Sequence, residues 1–488
     1  MTSSSPTEAS ASPVTTRRTG LPAASIAGLG ELIDFILPLW AASTLKLSPS
    51  LIGAVLAVEL ATAIIARPIA GKWADRADRR LLISAGAGIF AAGLLTLSIV
   101  GSVPFLFLAS ILLGLGSAFF WVPLRAVVAE SANPQQAFSK LTSAEGTGIW
   151  VVYIIALSAL PFINFQGVYA IGAVAALGAA VYIALGVVLK PSPQENLTDC
   201  HSQTSATIDH KNLLIFVALV ALVEAAASIY LLLCLQEQFG LELMEIVWLY
   251  LPGLVVYSVV PQWGIPLVQA LGQRVLVFIC LGLSVVGISL VTLFPEPWVL
   301  ALGWAFLCCS WGWLDPLQQS TATRVIPGGF GRAFGRYEAA TLIGGALGSL
   351  AGGFTLQIQM PLWVCLAAMI VVLTMIPLTV SLYPSSPSTQ LAKGNPARSK
   401  RDPRKEWHKA LEHLLLYAIV QGVLAVADRS WVAVMLSTGN PLSRIEGQAF
   451  SAQTALYIGT LIWGGVVILD LVISGTLFKR SLKKKPQQ

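Results

Sequence analysis

The sequence predicts an all-α polytopic membrane protein, built from two six-helix bundles and a C-terminal two-helix hairpin, with about fourteen transmembrane helices. The first indication is composition: 56% of the 488 residues are hydrophobic and only 11% are charged, whereas soluble domains carry about 25% charged residues. The second is that long apolar stretches recur along the whole chain. The third is that basic residues stand in short runs between these stretches, which indicates membrane topology and not a nucleic-acid surface.

A membrane-spanning helix needs about 20 mostly apolar residues, and fourteen stretches of this chain meet that requirement. Proline and glycine inside several of them are compatible with a membrane helix, because neighbouring helices satisfy the freed backbone groups. The predicted spans are residues 24–44, 50–70, 81–101, 104–129, 138–160, 167–189, 212–235, 244–268, 274–294, 297–325, 335–356, 361–383, 411–435 and 453–477.

Charge asymmetry predicts the orientation of the spans. If the N-terminus is cytoplasmic, the lysines and arginines concentrate in cytoplasmic segments, and the outer loops hold little beyond Lys46 and Arg444. The basic tail around Lys484 then stays inside only if the number of spans is even. We therefore expect a multi-pass protein of the plasma (inner) membrane with both termini in the cytoplasm.

Two polar linkers divide the spans into six, six and two. The predicted organisation is a disordered cytoplasmic tail at 1–23, a six-helix bundle at 24–189, a cytoplasmic linker at 190–211, a second six-helix bundle at 212–383, a basic cytoplasmic linker at 384–408, an extra two-helix hairpin at 409–478 and a basic cytoplasmic tail at 479–488.

A sequence repeat relates the two bundles. Pro123-Leu124-Arg125 at the end of span four is followed by Ala137-Phe138-Ser139-Lys140. Pro316-Leu317-Gln318 at the end of span ten is followed in the same way by Ala333-Phe334-Gly335-Arg336. Because the two copies fall at the same place in each half, we expect the halves to have related structures.

The loop between spans two and three carries the most specific motif, Gly71-Lys72-Trp73-Ala74-Asp75-Arg76-Ala77-Asp78-Arg79-Arg80. It resembles the signature G-x-x-x-D-R-x-G-R-R/K of the major facilitator superfamily, which stands between the same two spans. The residues that match are Gly71, Asp75, Arg76, Arg79 and Arg80, whereas Asp78 replaces the usual glycine. A shorter copy, Leu271-Gly272-Gln273-Arg274, lies between spans eight and nine. The resemblance covers about residues 1–383 and implies a secondary transporter.

The physical role of this loop can be argued without the family. A carboxylate such as Asp75, followed by arginines, can pair within the loop or cap the N-terminus of a helix from the other half. Such a contact can form in one state of a transporter whose halves rock, and break in the other. We therefore expect the matching residues to act as a conformational switch.

Ionisable residues inside the spans are the candidates for proton and substrate binding, because a charge at mid-membrane costs about 2.5–3.5 kcal/mol on insertion scales. Glu31 and Asp34 are three residues apart on span one and share a face. In the family, spans one, four, seven and ten line the central cavity, so the resemblance also places Arg125, Glu224 and Asp315 there. Asp34 is the expected proton-coupling carboxylate, Glu31 is second, and Arg125 is their expected counter-charge.

The resemblance to proton-coupled drug exporters suggests a mechanism in which a proton and a cationic or amphipathic compound compete for the cavity carboxylates. This chain departs from those exporters at Ser110, where they often have an arginine. Three alternatives stay open: a nutrient importer, a flippase for a lipid or lipid-linked glycan, and a membrane sensor that does not transport.

The remaining charged residues in the spans are expected to be structural. Glu59 and Arg67 lie two turns apart on span two. The residues expected to form cytoplasmic pairs between the halves are Glu145, Arg324, Arg336 and Glu338.

No chemistry-bearing pattern predicts an enzyme. The six cysteines lack CxxC or Cys/His spacing, and no nucleophile–base pair or phosphate-binding loop is recognisable, so we expect no metal and no cofactor. The expected partners are the lipid bilayer, protons or another coupling ion, and a small-molecule or lipid-like substrate, with no nucleic acid. The extra hairpin is expected to serve docking, oligomerisation or lateral gating, and the oligomeric state stays open.

Overall fold

The computed structural model describes residues 14–99, 102–186, 209–241, 243–294, 296–358, 361–383 and 430–439, together with single positions between 407 and 425 and between 464 and 475. The described residues form helices and connecting turns and no strand, which confirms the all-α prediction for this part of the chain. The helices are α1 Val14–Ser43, α2 Pro49–Ala74, α3 Arg79–Ile99, α4 Val103–Ala129, α5 Pro134–Leu160, α6 Phe162–Leu185, α7 His210–Leu233, α8 Leu243–Val259, α9 Pro261–Leu271, α10 Gln273–Leu293, α11 Pro297–Val325, α12 Phe330–Ile358, α13 Pro361–Leu382 and α14 Trp431–Thr438.

Each of the first twelve predicted spans falls on helix in the described residues. Ten helices are long and apolar enough to cross a membrane, and α8 with α9, which meet at a bend of 52°, would make an eleventh. The bend lies at Pro261, whose ring removes a backbone donor, so the predicted span 244–268 is two helices and not one. The predicted span 411–435 is described only in part, and the predicted span 453–477 lies almost wholly outside the described residues.

The chain divides into two compact units. One consists of residues 1–239 and 253–387 and contains the N-terminal six-helix half and most of the C-terminal half; the other consists of residues 240–252 and 388–488. In the second unit, the Tyr417 hydroxyl accepts hydrogen bonds from Trp431 Nε1 (2.8 Å) and Gln421 Nε2 (3.2 Å). The Ser430 hydroxyl donates to Gln421 Oε1 (2.6 Å), so the described part of this unit is held by a polar cluster.

The same packing occurs in both halves of the first unit. In the N-terminal half, α1 packs on α5, and a Cβ added to Gly148 would lie 1.8 Å from the Ala24 carbonyl oxygen. In the C-terminal half, α7 packs on α12, and a Cβ added to Gly344 would lie 2.1 Å from the Ala218 carbonyl oxygen. Only glycine allows such close approach of two helices. The two halves therefore share this register as well as the sequence repeat.

The halves meet at one end of the unit, which we call the basic end because it holds Arg76, Arg79 and Arg80 of the motif, as well as loops 130–133 and 326–329. There α2 of the N-terminal half crosses α12 of the C-terminal half. The rings of Phe138 on α5 and Phe334 on α12 are 5.3 Å apart between centroids. Helices of the two halves are thus in direct contact at this end, and the structure is closed there.

Candidate functional site

The motif loop lies at the start of α12, in the other half. Asp75 Oδ1 accepts a hydrogen bond from the Gly331 backbone N–H (2.7 Å), and Oδ2 accepts one from the Arg332 backbone N–H (3.1 Å). The Arg332 side chain adds a bond from Nε to Oδ2 (3.1 Å). The first backbone N–H groups of a helix have no partner within the helix, and the helix dipole favours a negative charge there. Asp75 therefore caps a helix of the opposite half, which is the geometry expected from the loop sequence.

Close approach of the backbones makes this cap possible. A Cβ on Gly331 would lie 2.3 Å from the Gly71 carbonyl oxygen and 2.8 Å from Asp75 Oδ1, and a Cβ on Gly71 would lie 2.5 Å from the Gly331 carbonyl oxygen. Both positions exclude a side chain. The motif glycine and Gly331 thus set the distance at which α2 and α12 cross.

The other residues of the loop act within the N-terminal half. Arg79 is buried; it pairs with Glu130 after α4 and donates from Nε to the Ala74 carbonyl oxygen (2.8 Å). Asp78 Oδ1 accepts from the Arg80 backbone N–H (2.9 Å) at the start of α3, and its φ is not positive, so the turn does not require the usual glycine. Arg76 is exposed.

We expect Asp75→Asn to weaken closure at the basic end. The amide would place a donor against backbone N–H groups, and hydrogen bonds to a charged group contribute about 1.5–3 kcal/mol each. The purified variant should unfold at a lower temperature, and amides of residues 326–332 should exchange hydrogen faster. Asp78→Asn is the matched control, because its carboxylate bonds only within its own half. Equal effects of the two substitutions would contradict the assigned role of Asp75.

A buried ion-pair network lies deeper in the unit, between the halves. Glu338 on α12 is only 4% exposed, and its two carboxylate oxygens bind Arg67 on α2 and Arg125 on α4. Arg67 Nη1 also donates to the Glu338 carbonyl oxygen (3.2 Å), and Arg125 Nη2 donates to Glu145 Oε1 on α5 (3.3 Å). The Arg125 guanidinium lies 4.8 Å from the centroid of the Trp121 ring. One carboxylate of the C-terminal half thus binds two arginines of the N-terminal half.

This network changes the expectation for Arg125. The sequence suggested that Arg125 balances Glu31 or Asp34, whereas its ion-pair partners in the structure are Glu145 and Glu338. The reason is the depth of Arg125 along its helix: it lies four residues before the end of α4 at the basic end, close to the level of Glu338 on α12.

The pairs expected between the halves are found only in part. Glu145 and Glu338 belong to the network, and Arg67, expected to be structural, joins them. Arg336 instead donates to the Pro327 carbonyl oxygen at 3.5 Å.

The predicted cavity carboxylates lie farther from the basic end. Glu31 and Asp34 stand in the middle of α1, and both residues are exposed. They are within electrostatic reach of one another, and Glu59 on α2 is within reach of Asp34. Glu59 Oε2 is buried without a hydrogen-bond partner among the described residues.

The C-terminal half supplies the other carboxylates. Glu224 on α7 is half-buried and within electrostatic reach of Asp315 and of Glu31. Asp315 on α11 accepts a hydrogen bond from the Tyr257 hydroxyl on α8, at 2.7 Å. The structure therefore brings Glu31, Glu224 and Asp315 together from three helices and two halves. Tyr257 was not found from the sequence, because a tyrosine in an apolar span carries no charge to single it out.

This arrangement is rich in carboxylates and poor in free cations. The two arginines of the ion-pair network, Arg67 and Arg125, are both bound to Glu338. No group of three or more His, Cys, Asp or Glu residues that could hold a metal ion occurs in the described part of the chain. A group of neighbouring carboxylates of this kind can chemically accept protons or an organic cation.

Comparison with known proteins identifies the family. The sequence model of the Major Facilitator Superfamily matches residues 22–267 and 213–487, and these matches together span most of the chain. The chain belongs to the major facilitator superfamily. The second match continues beyond residue 383, where the motif-based resemblance ended, so it does not set the last hairpin apart from the family. No curated protein sequence matches the chain.

Three solved structures have a similar fold, and each covers 75% of this chain. A bacterial homologue of the iron transporter ferroportin, in an outward-facing state, has a TM-score of 0.59 at 15% identity, with 98% of its own chain covered. The human organic anion transporter MFSD10 (TETRAN) has a TM-score of 0.60 at 14% identity, with 100% covered. The proton:xylose symporter XylE has a TM-score of 0.61 at 14% identity, with 94% covered. At these identities the comparison shows the shared fold.

Family membership establishes the general class of this protein. Members of the major facilitator superfamily are multi-pass membrane transporters and not enzymes, and they carry small-molecule substrates, often with ion coupling. This chain therefore has the fold of a secondary transporter.

Proposed function

We propose that this member of the superfamily is a proton-coupled exporter of small amphipathic or cationic compounds, in which the two halves rock around a central carboxylate-lined cavity. The observation that carries the proposal is an excess of carboxylates over positively charged groups that could pair with them. The carboxylates Glu31, Asp34, Glu59 and Glu224 have no ion-pair partner among the described residues, while both neighbouring arginines are bound to Glu338. An uncompensated carboxylate inside a membrane protein favours binding of a proton or a cation.

Protons and substrate would compete for these groups. Asp34 and Glu31 are exposed in the middle of a span, so a compound in the cavity can reach them. When a cation binds, the carboxylates remain ionised; when it leaves, protonation removes their charge and allows the cavity to close. Asp315 and Glu224 would complete the site from the C-terminal half, since Glu31 lies within electrostatic reach of Glu224. Alternating access then couples proton entry to substrate exit.

Closure and charge together suggest which side of the membrane this conformation faces. The contacts between the halves close the basic end, and the positive-inside rule assigns that end to the cytoplasm. This conformation then opens the cavity to the outside, where protons would enter and an exported compound would leave.

The proposal is tested by uptake of lipophilic organic cations into inverted membrane vesicles, or into proteoliposomes, with and without an imposed pH gradient. Accumulation that requires an acidic lumen is expected for the wild-type chain. We expect Asp34→Asn to reduce gradient-driven accumulation to the level of protein-free liposomes, because the amide cannot take up a proton. Exchange of labelled for unlabelled compound at equal pH should persist.

The matched control is Glu296→Gln, which makes the same carboxylate-to-amide change in the exposed residue before α11 and should accumulate substrate like the wild type. Normal accumulation by Asp34→Asn would refute the assignment of Asp34 as the coupling residue. If no cation moved against its gradient in the wild type, the export function itself would be wrong, and uptake of a compound in the opposite direction would favour an importer.

A further inference from the structure

Four buried polar side chains on α5 and α11 lack a hydrogen-bond partner for an atom in the described part of the chain. On α5 these atoms are Thr142 Oγ1 and Ser143 Oγ, and on α11 they are Gln318 Nε2 and Gln319 Oε1. None of the four residues is more than 6% exposed. Buried polar atoms nearly always have partners, so this concentration on two helices requires a physical explanation.

The sequence repeat shows which residues of the opposite half correspond to Thr142 and Gln318. Phe138 and Phe334 occupy the same position in the two repeated sequences, and their rings meet, so the axis relating the halves passes between them. Four residues further along each helix, Thr142 corresponds to Glu338.

The preceding helices give the second correspondence. Arg125 and Gln318 are both the second residue after the repeated proline of span four and span ten. By this correspondence, the positions that mirror Arg125 and Glu338 across the axis are Gln318 and Thr142, one from each half. Consistent with this, α5 of the N-terminal half packs on α11 of the C-terminal half.

We propose that the interface at the basic end is asymmetric. On one side the Arg125–Glu338 ion pair stabilises the closed state, and on the other side the buried, unpaired atoms of Thr142 and Gln318 destabilise it. Closure buries the Thr142 hydroxyl and the Gln318 amide N–H without partners, and such burial costs free energy. Opening gives these atoms access to water and recovers that cost. The free-energy cost of burying these atoms of Thr142 and Gln318 therefore offsets part of the stabilisation by the Arg125–Glu338 ion pair, so the transporter is not trapped in the closed state.

This inference does not depend on which compound is transported. It requires only that the halves close and open at the basic end, as expected for a member of the superfamily. It concerns Thr142 and Gln318, which the proposed proton and cation chemistry does not use, so its failure and the failure of the export function can be told apart.

The first experiment removes the unpaired atoms. Purified Thr142→Val, Gln318→Leu and the double variant are compared with the wild type by hydrogen exchange, without any added substrate, in peptides covering loops 130–133 and 326–329. Thr142→Val is the decisive variant, because Gln318→Leu also removes the Oε1 atom that accepts a hydrogen bond from the buried Tyr337 hydroxyl (3.4 Å). We expect exchange in these loops to slow by about tenfold in Thr142→Val, the factor that corresponds to relieving one unpaired buried group. The control is Thr147→Val on the same helix, because that hydroxyl already donates to the Ser143 carbonyl oxygen at 2.7 Å.

The second experiment gives positions 142 and 318 the same charges as their counterparts Glu338 and Arg125. Thr142→Glu combined with Gln318→Arg installs a mirror copy of the Arg125–Glu338 pair, whereas each single variant introduces one unpaired charge. The double variant should be more protected from exchange than either single variant and than the wild type, with transport in proteoliposomes at least tenfold slower. Such non-additivity is the signature of direct contact between the two positions.

The proposal is overturned if Thr142→Val exchanges as fast as the wild type or faster, which would mean that the buried Thr142 hydroxyl has a hydrogen-bond partner in solution. It is also overturned if both charged single variants and their combination behave additively. The apolar variants keep the test decisive even if the charged variants do not fold, because they add no charge and nearly preserve side-chain volume.

Discussion

Replacing Glu338 with glutamine is expected to open the basic end and to lower the thermal stability of the protein more than any other single exchange of a carboxylate. Glu338 binds Arg67 and Arg125 with separate carboxylate oxygens in an environment that is almost wholly buried. The amide would leave two buried guanidinium groups facing a neutral side chain. Removing one partner of a buried ion pair costs about 3–5 kcal/mol, which is a shift of roughly 10² to 10³ in an equilibrium between closed and open states.

The change would be measured as a lower Tm of the purified protein and faster hydrogen exchange around residues 326–338. Glu130→Gln is the matched control. Glu130 also pairs with a buried arginine, Arg79, but its side chain is 27% exposed, and Arg79 keeps its bond to the Ala74 carbonyl oxygen. We expect the control to cost about 1 kcal/mol or less. If Glu338→Gln were no more disruptive than Glu130→Gln, the two-arginine bridge would not be what holds the halves together.

The second large effect is expected from a single methyl group at the crossing of α2 and α12. In Gly331→Ala the new Cβ would lie 2.3 Å from the Gly71 carbonyl oxygen and 2.8 Å from Asp75 Oδ1. Neither contact can be relieved by a side-chain rotation of residue 331, so the two helices must separate. Forcing atoms into a close-packed contact costs about 1–3 kcal/mol or more. Separation also breaks the cap by Asp75, so closure at the basic end should largely be lost and transport should stop.

Gly345→Ala on the same helix is the control, because a Cβ at that position meets nothing within 4 Å. Alanine is also a better helix former than glycine, so Gly345→Ala should be neutral or slightly stabilising. Transport of a labelled compound in proteoliposomes distinguishes the two variants. Wild-type transport by Gly331→Ala would show that α2 and α12 need not approach this closely during the cycle.

Much of the architecture could be predicted because the bilayer imposes it on the sequence. Apolar stretches of about 20 residues identify spans whatever their neighbours are, and the first twelve predicted spans fall on helices. The exception is the predicted span 244–268, which is divided into two helices by a bend of 52° at Pro261. The apolar pattern continues through this proline, so hydropathy alone does not reveal the bend.

The candidate site was predicted less completely. Glu31, Asp34, Glu224 and Asp315 were found because an ionisable residue in an apolar span is rare and expensive. Their proximity across the halves came from the structure and not from the spacing. Tyr257, which donates to Asp315, gave no signal in the sequence.

The sequence by itself determined the membrane class, the repeat of two halves and the motif loop with Asp75, because hydropathy, internal similarity and short motifs are local properties. The tertiary structure alone decided the partners: Glu338 for Arg125 and Arg67, Gly331 for Gly71, and Tyr257 for Asp315. The physical reason is the rotation of each helix about its own axis, which the sequence does not specify. Sequence position fixes the depth of a residue along its helix, but the face that it presents to another half depends on how the helices pack, and that packing is set by close contacts many residues apart.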